Sequence, residues 1–294
     1  MQIDRLARAV RDTGNPSALG LDTRFEYIPA LFAGKHGGEH DRAEAIYAFN
    51  AELLRGLRDI IPCVKIQAAC YEMLGADGMD CMERSIAEAR RLDFVVIVDA
   101  KRGDIGATAA AYSAAYLGPG APYEADFLTV NPYFGQDGVQ PFIEDCERTG
   151  RGIFALVKTS NPSGREFQDL IVEDGRPLYE HVAERVSSWG AASVSVEGYS
   201  SVGAVVGATY PVQGARLRKL MPHTFFLLPG YGAQGAAAAD LAGCFDESGG
   251  GAIVAASRSI ICAHQKAGTG DFVGAARSEA ARMRSELSSA LGNA

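Results

Sequence analysis

The chain has 294 residues, of which 47% are hydrophobic and 22% are charged, and its net charge at pH 7 is −8. This composition is ordinary for a globular protein, and the excess of negative charge argues against a surface that binds nucleic acid or an anionic membrane. It does not exclude a small anionic substrate, because a few cations inside a pocket are enough to bind one.

Eight short apolar runs recur along the chain, and each is followed by a segment with helical periodicity. Near-continuous hydrophobicity of this kind predicts strands that are buried on both faces of a parallel sheet. The predicted strands are 18–22, 63–67, 94–100, 127–131, 153–158, 202–209, 225–229 and 252–257.

The segments between the runs predict helices whose apolar stripes pack on the sheet. Asp41 and Glu44 indicate a capping box at the start of one such helix. The stripes are Ile46, Phe49, Leu53, Leu57 and Ile60; Met79, Met82, Ile86 and Ala89; and Phe272, Ala276, Ala280, Met283 and Leu287.

Eight successive strand–helix units predict a closed (β/α)8 TIM barrel, with an open doubly wound sheet as the alternative. The barrel is favoured because the polar residues that end many runs would converge on one pocket. These are Asp22, Lys65 with Gln67, Asp99 with Lys101, Asn131, Lys158 with Ser160, and Arg258. Since no linker or low-complexity segment interrupts the pattern, we expect one domain over 1–294, with the barrel core at about 17–261 and a C-terminal helix at about 271–291.

The cysteines and the first residues of the chain indicate the cellular compartment in which the protein works. Six cysteines occur without a Cys-x-x-Cys pair, which is typical of reduced thiols. The first residues are charged and lack the apolar region of a signal peptide, and no apolar run approaches the ~20 residues of a membrane span. We therefore expect a soluble, cytoplasmic protein.

The densest group of charges follows the third predicted strand. Strand side chains alternate, so Asp99 and Lys101 should point to the same face, and Asp104 follows a glycine turn close enough to join them. Lys65 at the end of the second strand adds another ammonium. A structural ion-pair ladder is the alternative, but charges at the end of so apolar a run are costly to desolvate, which favours a functional site.

A glycine-rich segment, 229–235, follows the seventh strand and formally matches the Gly-x-Gly-x-x-Gly fingerprint of dinucleotide sites. We reject that interpretation because the next strand, 252–257, ends without the acidic residue that would bind a ribose 2′-hydroxyl. The loops after strands seven and eight commonly bind phosphate in such barrels, and Arg258 supplies a cation there. The alternative is that the glycines only turn the chain.

Other polar signals are weaker. The residues 158–162 offer hydroxyl and amide groups that could bind a heterocyclic imide, or could form an ordinary turn. None of the five histidines ends a strand, and His36 and His40 are more typical of a solvated loop than of a metal site. Lys and Asp are therefore the main chemical groups available.

The segment 99–105, Asp-Ala-Lys-Arg-Gly-Asp-Ile, resembles the Asp-x-Lys-x-x-Asp signature of orotidine 5′-phosphate decarboxylases. The segments 19–22, 63–67, 129–133 and 228–232 resemble the longer bacterial subgroup, and the similarity extends from about residue 17 to 261. It implies a barrel enzyme, free of cofactor and metal, that converts orotidine 5′-monophosphate (OMP) to UMP and CO2 in de novo pyrimidine biosynthesis.

The resemblance also implies a homodimer and a role for each matching residue. Lys101 is expected to protonate C6, Asp99 to lie against the substrate carboxylate, and Asp104 to reach the active site of the neighbouring subunit. The remaining roles are Asp22 and Lys65 at the ribose hydroxyls, with Lys65 also supporting the charged array; Ile105 and Thr108 following Asp104 into the neighbouring site; Ser160 at the pyrimidine amide; Pro229, at the end of the seventh strand, as a further substrate-binding residue; and Gln234 and Arg258 at the phosphate.

Two departures and two rival functions stay open. Ser257 stands where a glycine is common, and 162–178 has no counterpart in compact members of the family, so we assign it no role. The rivals are a Mg²⁺-dependent sugar-phosphate decarboxylase or aldolase of the same barrel lineage, and a barrel that binds a nucleotide phosphate without catalysis. Lys65 and Ser160 argue against the first rival, and the complete set of Asp99, Lys101 and Asp104 argues against the second.

Overall fold

A computed structural model of the chain, which describes residues 1–32, 38–232 and 237–292, contains eight parallel strands in a closed barrel. Each strand pairs with its neighbours in the chain, and the last strand pairs with the first through Ser17↔Val254. The strands are β1 Ser17–Leu21, β2 Cys63–Gln67, β3 Val95–Arg102, β4 Phe127–Val130, β5 Gly152–Lys158, β6 Val202–Val206, β7 Phe226–Pro229 and β8 Ala252–Ala256.

Helices surround the barrel and cover the outer face of the sheet. They are α1 Gln2–Thr13, α2 Glu39–Leu57, α3 Ala69–Glu72, α4 Gly75–Arg91, α5 Gly106–Tyr116, α6 Gln136–Thr149, α7 Arg165–Gln168, α8 Leu178–Trp189, α9 Pro211–Leu220, α10 Ala238–Leu241, α11 Arg258–Ile261, α12 Ala263–Ala267 and α13 Phe272–Ala290.

The closed barrel confirms the predicted fold class and rules out the open sheet. Two strand boundaries differ from the prediction by more than one residue. The third strand continues to Arg102, because its pairing with β4 resumes at Arg102↔Val130 after an irregularity. The sixth strand ends at Val206 and not at Thr209, although Gly207 N still donates to the carbonyl of Lys158 in β5.

The core lies in two layers, one inside the barrel and one between the sheet and the helices. The predicted helical stripes belong to the outer layer and are largely buried, as expected. The inner layer includes Ile3 and Leu6 of α1, which packs against residues of the barrel interior. This N-terminal helix is absent from the predicted elements.

The predicted capping box is wrong. The helix α2 begins at Glu39 after Gly38, so Asp41 lies inside its first turn. Glu44 instead accepts a hydrogen bond from Arg84 of α4 at 3.1 Å, and the Arg84 guanidinium lies 3.9 Å from the centre of the Tyr47 ring. The Glu44 carboxylate, which suggested a cap, therefore links α2 to α4.

Three further features bear on the predicted class of protein. All six cysteines are free thiols. Among the helices within the described residues, none combines the length and apolarity needed to cross a membrane. His40 pairs with Asp77 at 3.0 Å, and His36 lies outside the described residues.

Candidate active site

The candidate site is a cavity of about 390 Å³ that lies where the carboxyl ends of the strands meet. This volume is within the usual range of about 300–1,000 Å³ for small-molecule sites. The described residues that line it are Asp22, Lys65, Gln67, Asp99, Lys101, Thr129, Leu156, Thr159, Ser160, Asn161, Val205, Leu227, Pro229, Gly230, Tyr231, Ala255, Ser257 and Arg258.

A buried carboxylate between two ammonium groups forms the polar centre of the cavity. Asp99 Oδ1 lies 2.7 Å from Lys101 Nζ, and Asp99 Oδ2 lies 3.0 Å from Lys65 Nζ. Lys65 also reaches Asp22 Oδ1 at 3.3 Å. Asp99 and Lys65 are buried, whereas 47% of the Lys101 side chain is exposed towards the cavity mouth. The array therefore presents one accessible ammonium, that of Lys101, held by the buried Asp99 and Lys65.

Two neutral donors complete the hydrogen bonds of the Asp99 carboxylate. Gln67 Nε2 donates to Oδ2 at 3.2 Å, and Thr129 Oγ1 donates to Oδ1 at 2.9 Å. Each carboxylate oxygen thus accepts one bond from an ammonium and one from a neutral group. A buried charge with its acceptor sites satisfied in this way can remain ionised.

The charges of this array stabilise one another. Burial alone would raise the pKa of Asp99, but the charges and hydrogen bonds of Lys65 and Lys101 outweigh it and hold the pKa well below its usual range. Burial alone would lower the pKa of Lys65, but Asp99 and Asp22 raise it above its usual value. Asp99 and Lys65 therefore both stay charged around neutral pH.

The backbone of Lys101 adopts a left-handed conformation, with φ of 48°. A residue with a side chain seldom adopts this conformation, and such strain often occurs at functional sites. It coincides with the irregular pairing of β3 and β4, in which Val98↔Leu128 is followed by Arg102↔Val130. Asp99 and Lys101 meet across this bulge, so the strict side-chain alternation assumed from the sequence is not what brings them together.

The loop after β5 forms another wall of the cavity, through Thr159, Ser160 and Asn161. Gly207 permits this wall to approach β6, because a Cβ at that position would come within 2.7 Å of the Ser160 Cα. From the segment 162–178, the Gln168 side chain accepts from Thr159 N at 3.0 Å and donates to Thr159 Oγ1 at 2.7 Å. This segment therefore holds the loop in place.

The ends of β7 and β8 contribute Pro229, the last residue of β7, Gly230 directly after it, and Arg258, the first residue of α11. Gly230 has a φ of 106°, a conformation that favours glycine, so the chain can turn directly after β7. Among the described residues, no carboxylate forms an ion pair with Arg258, which leaves its charge available to an anion. Gln234, which we predicted at the same place, lies outside the described residues.

Asp104, Ile105 and Thr108 do not belong to the described lining of this cavity. Asp104 therefore does not join Asp99 and Lys101 in the described lining of this cavity. Asp104 Oδ1 accepts a hydrogen bond from Ile105 N at 2.8 Å in the turn after β3. Ile105 is 56% exposed, and Thr108 is exposed as well.

Two other strand-end residues also fail to reach the cavity. Lys158 is fully buried and forms an ion pair with Asp169, beside the ring of Tyr210. An irregularity in the pairing of β5 and β6 between Leu156 and Lys158 accompanies this departure from alternation. Asn131 instead lines a neighbouring, more apolar cavity. Gln67, expected with Lys65 among the converging strand ends, does line the cavity, whereas Thr129 lines it without having been predicted there.

No group of three or more His, Cys, Asp or Glu side chains within residues 1–32, 38–232 and 237–292 is arranged to hold a metal ion. The polar lining of the cavity consists instead of ammonium, carboxylate, hydroxyl and amide groups around apolar strand residues. These groups can bind an anionic, oxygen-rich molecule and can transfer a proton from Lys101.

Comparison with known proteins places this arrangement in a family. The model of the orotidine 5′-phosphate decarboxylase / HUMPS family matches residues 43–271, which include β2 to β8 and the Asp99–Lys101 array. The chain belongs to this family. Two residues of its signature, Asp99 and Lys101, line the cavity, whereas the third, Asp104, is not part of the described lining.

Family members with similar sequence and structure carry one name. An orotidine 5′-phosphate decarboxylase from Rhodopirellula baltica is 44% identical over 268 residues, covering 89% of this chain and 88% of the relative. One from Clostridium tetani is 38% identical and covers 99% of both chains. The structure of Leishmania donovani OMP decarboxylase is 29% identical, with a TM-score of 0.78 over 99% of both chains. These relatives do not support either rival function.

The left-handed backbone at Lys101 makes a prediction about stability. Lys101→Gly and Lys101→Ala both remove the ammonium, but only glycine adopts positive φ without a steric cost. We expect the glycine variant to have a free energy of unfolding about 1 kcal/mol higher than the alanine variant in urea titrations. The control is the exposed Glu83 in α4, where alanine should be the more stable by about 1 kcal/mol. Equal stability of the two Lys101 variants would contradict the strained conformation.

Proposed function

We propose that this protein decarboxylates OMP to UMP and CO2, as an enzyme of de novo pyrimidine biosynthesis. The observation that carries the proposal is the buried Asp99 carboxylate held between Lys65 and the accessible Lys101 in a nucleotide-sized cavity. The names of the relatives and the family signature support the same activity. The rest of the cavity is suited to the other parts of such a substrate.

We propose one orientation of the substrate in the cavity. Arg258 and the turn at Pro229 and Gly230 lie at one part of the lining and supply a cation and a close backbone for the phosphate. Asp22 and Lys65 offer hydrogen bonds to the ribose hydroxyls, and Ser160 offers one to the pyrimidine amide. We include Gln234 as a second phosphate ligand on the strength of the family signature alone.

The chemistry is a heterolytic cleavage. The bond between C6 and the carboxylate breaks, CO2 leaves, and the electron pair remains on C6 in an orbital outside the ring π system. Lys101 stabilises this developing charge and then transfers a proton from Nζ to C6, and solvent returns a proton to the lysine. Asp99 repels the substrate carboxylate, and this repulsion disappears as CO2 forms.

The array favours the transition state because its charges are fixed before the substrate arrives. Hydrogen bonds from Lys65, Gln67 and Thr129 hold Asp99 in place, so little reorganisation is needed as charge develops. Some enzymes reach accelerations of about 10¹⁷-fold, or roughly 23 kcal/mol, which one Lys–Asp pair does not supply. We therefore propose that phosphate binding at Arg258 contributes remote binding energy and excludes water.

Turnover of OMP tests this proposal directly. We expect the purified protein to convert OMP to UMP in the presence of EDTA, followed by the loss of OMP absorbance. Lys101→Ala should lower kcat by about 10²- to 10⁴-fold, because the proton donor is lost, while UMP still binds. The matched control is Lys219→Ala, which removes an exposed lysine from α9 and should leave turnover unchanged.

Two results would contradict the proposal. Strict dependence on added Mg²⁺ would favour the metal-dependent rival of the same barrel lineage. Binding of UMP without any turnover of OMP would favour a barrel that binds nucleotides without catalysis.

We further propose that the protein acts as a homodimer in which Asp104 completes the site of the neighbouring subunit. The turn that carries Asp104 lies beside exposed apolar side chains, which is typical of a protein interface. Ile105 follows Asp104 directly, and Tyr133 and Phe134 are 85% and 49% exposed. The turn at Asp104 and the segment of Phe134 both pack closely on Gly138, since a Cβ there would come within 2.6 Å of the Phe134 Cβ and 2.9 Å of the Asp104 carbonyl oxygen. Ile105 and Thr108 would enter the neighbouring site with Asp104.

Mixing of two inactive variants tests the shared site. If Asp104 acts across the dimer, hybrids of Lys101→Ala and Asp104→Ala contain one intact site out of two. Refolding equal amounts together should then restore up to about a quarter of the wild-type activity. Mixing Lys101→Ala with Asp99→Ala is the control, and should restore nothing because both residues serve the same chain's cavity. No recovery in verified Lys101–Asp104 hybrids would contradict a shared site.

Two further proposals concern the domain and the compartment. We propose that residues 1–294 act as one domain and that the protein works in the cytoplasm. The six free thiols support the second proposal, because reducing compartments preserve them.

A further inference from the structure

The pairing of β3 with β4 leaves one residue opposite the whole catalytic segment. Between the pairs Val98↔Leu128 and Arg102↔Val130, β3 contributes three residues, 99–101, whereas β4 contributes only Thr129. A regular ladder cannot satisfy the backbone groups of three residues with those of one. The two residues with proposed catalytic roles, Asp99 and Lys101, both lie in this unmatched stretch.

The side chain of Thr129 supplies what the ladder lacks. Its Oγ1 accepts a hydrogen bond from Lys101 N at 2.9 Å and donates its single proton to Asp99 Oδ1 at 2.9 Å. Thr129 is 1% exposed, so water does not readily replace either bond. One hydroxyl thus joins the backbone of the proposed proton donor to the carboxylate beside it.

We propose that Thr129 is a positioning residue for decarboxylation, which sets the distance between Lys101 and Asp99 by holding the left-handed backbone of Lys101. This inference rests on the function proposed above and extends it to a residue that lies on a different strand from the charges. The hydroxyl acts through Asp99 and Lys101 and touches no reacting atom.

The chemistry of the threonine side chain makes the proposal specific. The strain at Lys101, with φ of 48°, needs a partner that fixes it, and Lys101 N donates to Thr129 Oγ1 rather than to a carbonyl of β4. Lys101 Nζ bonds Asp99 Oδ1, the same oxygen that Thr129 bonds, so loss of the hydroxyl removes one hydrogen bond from each residue of the Asp99–Lys101 pair at once. The accessible ammonium would then sample positions from which it no longer meets the developing charge.

Two substitutions separate the hydroxyl from the shape of the side chain. Thr129→Val keeps the size and removes the hydroxyl, and we expect kcat for OMP to fall about 10- to 100-fold with KM and UMP affinity changed less than about threefold. Thr129→Ser keeps the hydroxyl and loses a methyl, and kcat should stay within about threefold of wild type. A role limited to packing predicts the reverse order.

Ser113→Ala is the matched control. The Ser113 hydroxyl is also buried and also donates to a carboxylate, Asp145 Oδ2 at 2.6 Å, but it lies between α5 and α6 in the helical layer. This variant should lower the melting temperature and leave kcat unchanged.

If Thr129→Val does not fold, Thr129→Cys replaces it, because the thiol is a much weaker donor than the serine hydroxyl of similar size. Thr129→Cys should then have a lower kcat than Thr129→Ser.

The outcomes distinguish this inference from the proposed function. A wild-type protein that does not decarboxylate OMP would overturn the proposed function and this inference with it. An active wild type combined with a Thr129→Val kcat within threefold of it would overturn the inference alone. So would equal losses in Thr129→Ser and Thr129→Val, or a loss of UMP affinity in Thr129→Val as large as the loss of kcat.

Discussion

The structure depends on keeping one carboxylate ionised where water hardly reaches it. Asp99 is 8% exposed, and a buried charge is tolerated only when it is paired and its hydrogen-bonding sites are filled. Two ammonium groups and two neutral donors meet this requirement, from Lys65 and Gln67 on β2, Lys101 on β3 and Thr129 on β4. Removing any one donor would leave the buried Asp99 carboxylate with an unfilled hydrogen-bonding site, so the four contacts act as a unit. The same arrangement that allows the carboxylate to be buried also fixes the electric field that a localised carbanion would experience.

The closed barrel makes this arrangement possible because it brings the ends of β2, β3 and β4 side by side and the ends of β7 and β8 to the same cavity. An open sheet would spread these residues along an edge. The opposite end of the barrel is filled by apolar side chains, including Ile3 and Leu6 of α1. Binding and chemistry are thereby confined to one end of the barrel, while packing at the other end stabilises the fold.

The fold was predictable because it depends on repeated patterns. Eight apolar runs and helical stripes suffice for a barrel, whereas the helix α1 contains no such repeat and was missed. The association of Asp99 with Lys101 was predicted, although from a regular alternation that the bulge at Lys101 interrupts. The expectation that strand-end residues converge on the pocket was wrong for Lys158, which is buried against Asp169 instead. Asp104, expected beside Asp99 after a glycine turn, is not part of the described lining. Irregular pairing depends on contacts between strands far apart in the sequence, and that is also why the role of Thr129 could be inferred only from the folded chain.

The ionisation of Asp99 tests this account most directly. The 13C chemical shift of its side-chain carboxyl group can be followed against pH in labelled protein and assigned by comparison with Asp99→Asn. The account predicts the shift of an ionised carboxylate throughout the neutral range, with no titration until the pH falls below the ordinary pKa of 3.8. A carboxyl group that is protonated at neutral pH, or that titrates above pH 3.8, would contradict a fixed charge at the centre of the site.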